Sequence, residues 1–181
     1  HYLNAIKDFL IREKLIAPKQ EIVFIPSGGV KGVPGVVSIL CGKTEQLPYV
    51  IVDSDKSGAD AVKKLQSGLY KEHKDKIIEI KDITKMDNSE VEDIIPVELL
   101  SKGISRLFNS VEDDDFDNVY DKNKPILPQI EAFSDKYDVE FNQGWKVELA
   151  KSAKQVLKNR GKDSINSKKI ELWLDVFRRF L

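Results

Sequence analysis

One cysteine and two histidines are all that this 181-residue chain offers a soft metal. A lone Cys41 excludes an internal disulfide, and Cys41 with His1 and His73 cannot assemble a structural zinc site of the Cys/His type. Cys41 lies in an apolar run and reads as a buried, inert thiol. Any bound metal must then be held by carboxylates, which selects Mg²⁺, Mn²⁺ or Ca²⁺. Long apolar runs are also missing: no stretch approaches the roughly 18 residues that span a bilayer. With no signal-peptide pattern either, the chain reads as cytoplasmic, with no membrane partner. Excess charge of one sign is absent. Lys and Arg number 29 against 30 Asp and Glu, a formal net charge of −1, so bulk charge does not announce a nucleic-acid partner. No methionine opens the chain; it starts at His1 inside an amphipathic pattern and reads as a piece of something longer.

Charge is present, but sorted. Residues 86–121 carry eleven acids and two bases, Lys102 and Arg106. Residues 146–181 carry ten bases and four acids. An acidic middle and a basic end suggest separate work for two surfaces, although solubility alone accounts for such a pattern equally well. With 41% hydrophobic residues, the length suits one compact domain with a small helical appendage.

Leu3, Ile6, Phe9, Leu10 and Leu15 recur at helical spacing, so residues 2–16 read as a helix closed by Pro18. Residues 21–25 read as a strand and 26–35, rich in Gly and Pro, as a loop. Residues 36–40 are apolar and fit a helix by position. A buried strand over 48–52 leads to Asp53, a helix follows over 59–70, and another strand over 77–80. Strands alternating with helices imply an α/β unit with a parallel sheet. Beyond residue 82 strand signals stop. Residues 96–108, 146–159 and 167–181 read as helices, and 109–128 as an acidic, turn-rich loop. The expected organisation is a core over 1–108, an acidic insertion over 109–145 and C-terminal helices over 146–181.

The strongest chemical signal is PYVIVDSDKSG, residues 48–58. In open α/β sheets, ligands bind beyond the carboxyl ends of the strands. Asp53 and Asp55 sit at such an end, where two carboxylates on one strand-to-helix turn can hold a hard divalent cation. The structural alternative is an Asp helix cap, which is common. Phosphatases of the haloacid dehalogenase kind also place Asp-x-Asp after a strand, but favour Thr or Val where this chain has Ser57.

The series IVFIPSGG, a short helix, PYVIVDSDKSGADAVKKL, a further strand and SEVEDIIP resembles the toprim domain of the OLD (overcoming lysogenization defect) family of ATP-linked nucleases, a broad group that includes Gabija-type antiphage nucleases. The likeness is good over residues 1–100, weaker over 120–160 and absent from the last helix. It implies an α/β toprim fold: a Rossmann-like parallel sheet with flanking helices and a helical C-terminal extension. It implies Asp53 and Asp55 as metal ligands and catalytic residues. Glu92 and Asp93 would serve as a later acidic pair completing a second metal position, with Glu90 a weaker substitute. Lys146 would stabilise transition-state charge. The implied reaction is hydrolysis of a DNA phosphodiester by two Mg²⁺ or Mn²⁺ ions roughly 4 Å apart. Implied partners are DNA and an upstream ABC-type ATPase domain of the same longer chain, which would drive homo-oligomerisation; the biological setting would be antiviral defence. The family's first strand and its Glu-Gly element have no match here and would lie upstream of His1. That departure keeps a non-catalytic interaction or regulatory module open beside the nuclease, with a phosphatase third.

The sequence carries lesser signals too. SGGVKGVPG, residues 27–35, could turn backbone N–H groups toward an anion or be a structural turn. Gly42-Lys43-Thr44 fails as a phosphate-binding loop because Val37 stands where a glycine is needed. Asp113, Asp115 and Asp117 fail as an EF-hand because Asn118 and Lys124 occupy the sixth and twelfth positions. Lys151, Lys154 and Lys158 form a stripe opposite Val147, Ala150 and Leu157. Such a stripe can track a DNA backbone, and is equally what a solvated helix face looks like.

Overall fold

The computed structural model describes residues 1–44, 47–112 and 114–181, without the side chains of Lys43 and Thr44. It is α/β and mostly helical, with a small parallel sheet of two strands among the described residues. The chain forms two units: His1–Ile22 with Val91–Leu181, and Val23–Glu90.

The Val23–Glu90 unit holds α2 (Val33–Thr44), β1 (Val50–Val52), α3 (Lys56–Ser67), β2 (Ile77–Glu79) and α4 (Ile80–Thr84). β1 and β2 pair in parallel, with Val50, Ile51 and Val52 opposite Ile77, Ile78 and Glu79. A parallel pair needs a crossover, and α3 supplies it. Its N-cap is Asp55, and Val62 and Leu65, three apart, both face the core. That core gathers Val33, Val37, Val50, Val52, Val62, Leu65, Tyr70 and Ile77, with Cys41 and Leu47 packed half-buried against it. Cys41 is thus less enclosed than its apolar neighbours in sequence suggest. The Tyr70 hydroxyl donates to the Pro48 carbonyl at 2.8 Å, and burial pushes its pKa up to about 12.

The other unit is helical: α1 (Tyr2–Arg12), α5 (Val97–Leu107), α6 (Ile126–Lys136), α7 (Trp145–Lys158) and α8 (Ser167–Phe177). α1 buries Tyr2, Ala5, Ile6, Phe9 and Leu10. Phe9 meets Trp173 of α8 edge-to-face at 5.6 Å, and the Trp173 indole N–H donates to the Ile94 carbonyl at 2.9 Å. Gly103 lets α5 approach α7 closely: a Cβ there would stand 2.6 Å from Leu149 Cδ1 and 3.3 Å from Ser152 Cβ. Arg12 closes the C-terminal end of α7, its guanidinium donating to the carbonyls of Lys158 at 2.9 Å, Leu157 at 3.4 Å and Arg160. The free carbonyls of a helix end want such donors.

Three expectations are corrected. Residues 21–25 form no strand; Val23 and Ile25 are 64% and 50% exposed, so their apolar side chains have no second layer to bury against. The parallel sheet therefore has two strands and not three. Residues 126–136, within the stretch read as acidic insertion, form a helix burying Ile126, Leu127, Ile130 and Phe133. Phe133 lies in an aromatic cluster, edge-on to Phe108 at 4.7 Å and to Phe116 at 5.7 Å. Asp113, one of the acids compared with an EF-hand, lies outside the described residues.

Candidate functional site

Asp53 follows β1 directly, and Asp55 is the N-cap of α3. Both are half-buried at the carboxyl end of a parallel strand. The turn between them is fixed by Ser54, which is 7% exposed. Its N–H donates to the Ser89 carbonyl at 2.8 Å, and its hydroxyl accepts from the Lys81 N–H at 2.7 Å. Ser89, fully buried, is tied in turn to Thr84 at 2.8 Å and to the Met86 carbonyl at 2.9 Å. A serine between the aspartates thus locks the loop, so the two carboxylates flank a residue held through both its N–H and its hydroxyl.

Gly58 is the second device. A Cβ at this position would fall inside van der Waals contact of the Asp53 carbonyl oxygen, 2.9 Å from its carbon and 3.2 Å from Asp55 Oδ1. The Gly58 N–H donates to Asp55 Oδ1 at 2.7 Å. Of the Asp55 carboxylate, one oxygen caps the helix in the usual way. The glycine of DSDKSG is therefore required by close approach of the chain to itself. The Gly-rich loop lies in the same unit: Gly28 and Gly29 have φ of 70° and 99°, and the 3-10 turn Val30–Gly32 packs against α3.

Donors at this turn are oxygens, as a hard divalent cation requires. Two carboxylates suffice where water and substrate phosphate oxygens fill the remaining positions, which is how Mg²⁺ is commonly held. The residues present fit such an ion. Within either unit, among the described residues, no group of three or more His, Cys, Asp or Glu side chains is gathered in a way that could hold a metal. Glu79 is a further acid in this unit: it ends β2 opposite Val52, and its carboxylate pairs with Lys81 Nζ at 2.7 Å. Its signal in the sequence is an acid closing the short apolar run before residue 80.

Glu92 and Asp93 belong to the helical unit, in the 3-10 turn Val91–Ile94, and are 6% and 7% exposed. Asp93 Oδ1 accepts from the Ile126 N–H at 2.7 Å, capping α6, and the Asp93 carbonyl accepts from Lys169 Nζ at 3.1 Å. Burial lowers the pKa of Lys169, against the pull of Asp93 and Glu98. Tyr2 is pushed strongly up by burial, with the Glu92 charge adding to it. Lys146 lies in the first turn of α7, half-buried, its ammonium 5.7 Å from the Trp145 ring centre. Asp53 and Asp55 are thus brought together on one turn of one unit, while Glu92, Asp93 and Lys146 are placed in the other.

Lys151, Lys154 and Lys158 are all exposed on α7, and Ala150 and Leu157 are buried as their opposite face. Val147 is 43% exposed and does not belong to that buried face. Lys151 pairs with Glu148 at 2.8 Å. No helix is long and apolar enough to cross a membrane among the described residues.

Comparison with family models, with curated proteins and with solved structures finds no match to this chain.

Proposed function

We propose that this chain is the metal-binding part of a toprim-type DNA endonuclease of the OLD kind, working with Mg²⁺ or Mn²⁺. The observation that carries the reading is the pair Asp53 and Asp55 at the carboxyl end of β1, on a turn held by Ser54 and allowed by Gly58. Asp53 and Asp55 would hold the cation through their carboxylate oxygens. Once bound, the ion would polarise a phosphodiester and lower the pKa of a water nucleophile. The fixed turn matters because a loosely held pair must reorganise when the ion arrives, and preorganisation removes that cost. The Gly-rich loop, whose turn Val30–Gly32 packs against α3, would turn backbone N–H groups toward a phosphate. In the helical unit the proposal carries Glu92 and Asp93 as further ligands and Lys146 as a cation for developing charge, each open to its own substitution. Partners on this reading are DNA and an upstream ATPase domain that drives homo-oligomerisation, in an antiviral setting in the cytoplasm.

One observation favours a second reading, a toprim-shaped interaction module without turnover: Asp55 already has a structural task as the cap of α3. Nicking of supercoiled DNA with Mg²⁺ or Mn²⁺ separates the two. It should be run on the chain joined to the upstream strand that the resemblance implies. The nuclease reading expects Asp53→Ala and Asp55→Asn each to abolish nicking; full activity in both variants refutes it.

A further inference from the structure

α5 and α7 touch closely at Gly103, and a cleft of about 100 Å³ within the helical unit is lined by residues of both helices. Lys102 and Arg106 form one wall, with Gln155, Val156 and Asn159 opposite and Ser152 between them. Lys102 and Arg106 are one helical turn apart and exposed. They are also the two bases set among the eleven acids of residues 86–121, yet neither makes an ion pair among the described residues. Both turn toward α7, the helix that carries Lys151, Lys154 and Lys158.

Ser152 is the second observation. It is 9% exposed, and its hydroxyl has no hydrogen-bond partner. Buried hydroxyls in proteins nearly always have one. The cleft therefore offers two cations, two side-chain amides and an unused hydroxyl, and no carboxylate among its lining residues. That donor set matches a small oxyanion. Arginine's planar fork suits phosphate oxygens in particular. A cleft of about 100 Å³ has room for a phosphate group and is open to solvent on one side. That opening lets one phosphate of a polymer sit in the cleft while the remainder runs outside, across the exposed lysines of α7.

We propose that the α5–α7 cleft docks one backbone phosphate of DNA, with Arg106 and Lys102 supplying charge and Ser152, Gln155 and Asn159 supplying neutral donors. The choice of DNA as the polymer rests on the nuclease reading; the phosphate site does not rest on any catalysis. Binding of a labelled DNA duplex, followed by fluorescence anisotropy in chelator, keeps the two apart because no metal chemistry can run. The Lys102→Ala/Arg106→Ala double variant should bind about tenfold or more weakly on every sequence. Its plot of log affinity against log salt should be shallower by about one, since the two cations share one phosphate. Ser152→Ala should weaken binding without changing that slope, and Arg106→Lys should fall between wild type and the double variant.

Wild-type affinity and slope in the double variant overturn the proposal, as does failure of the wild-type chain to bind DNA in chelator. Inorganic phosphate that displaces the labelled duplex as well as unlabelled DNA does, at equal phosphate concentration, shows a free-anion site and overturns the polymer assignment. Loss of DNA binding in the double variant, together with absence of nicking by the wild-type chain in the metal assay, would retain the cleft and remove the nuclease.

Discussion

Replacing Gly58 by alanine tests whether the aspartate turn is held as described. The added Cβ meets the backbone of Asp53, 2.9 Å from its carbonyl carbon and closer to the oxygen. Backbone is a poor thing to displace, and this stretch is tied by both Ser54 hydrogen bonds. Overpacking of this kind costs roughly 1–3 kcal/mol, and the upper half applies where the neighbour cannot swing away. If α3 shifts to relieve it, the bond from the Gly58 N–H to Asp55 Oδ1 is lost as well, about 1 kcal/mol for a cap. Against this, alanine gains about 1 kcal/mol over glycine in a helix. The balance is a loss of about 2–3 kcal/mol, which at a urea m-value near 2 kcal/mol/M lowers the midpoint by about 1 M. Gly42→Ala in α2 is the internal control: nothing stands within 4 Å of its Cβ, so only the helix gain applies and stability should hold or rise. Urea unfolding followed by far-ultraviolet circular dichroism compares the three proteins. If Gly58→Ala is as stable as wild type, Gly58 is not a close-approach glycine and the turn geometry is wrong.

Asp55→Ala should cost about 1 kcal/mol through loss of the α3 cap, while Asp55→Asn should cost little because its amide oxygen can still accept from Gly58; equal stability of all three chains in urea would contradict the capping role. Asp114 is held well below the usual carboxylate range by Tyr137 at 2.7 Å and by Asn118 and Lys136 at 3.2 Å each. A depressed folded-state pKa adds stability above the unfolded value of about 3.9 and loses it as pH falls below that. Melting curves between pH 5 and pH 2 should accordingly fall less steeply for Asp114→Asn than for wild type, and parallel curves would remove Asp114 from the acid response.

The helices were legible where apolar side chains repeat at the helical period. Ile6, Phe9 and Leu10 of α1 and Leu99, Leu100 and Ile104 of α5 are such sets and are buried, while Leu3, in the same pattern, is half-buried and Leu15 lies beyond the end of α1. α6 is hidden in the sequence because the acids before it dominate the composition of its neighbourhood. Ile126, Leu127, Ile130 and Phe133 carry the signal, and Pro125 and Pro128 suit a first turn that has no use for their missing N–H groups. Residues 21–25 failed in the opposite direction. Their β-branched side chains fit a strand locally, but β-propensity expresses itself only where a pleated, half-buried surface exists to receive it. At the candidate site, the two aspartates could be read from their place after PYVIV. The locking role of Ser54 could not, because it depends on the Ser89 carbonyl and the Lys81 N–H, which are distant in sequence. The α5–α7 cleft was hidden for a related reason: Lys102 and Arg106 look like stray bases until α7 is packed beside them.

The central claim, that Asp53 and Asp55 together hold a divalent cation, is tested most directly by titrating Mn²⁺ into the chain and following the free ion by electron paramagnetic resonance. Wild type and Asp55→Asn are compared, since the asparagine keeps the cap of α3 and removes only the charge, with Asp53→Asn as the companion. A native-state ligand also raises the melting temperature, so the same samples give a second readout. The account predicts saturable binding and a Mn²⁺-dependent rise in melting temperature for wild type, both lost in either variant while the metal-free melting temperature of Asp55→Asn stays close to wild type. Undiminished binding in both variants, or no binding by wild type at millimolar Mn²⁺, would contradict it.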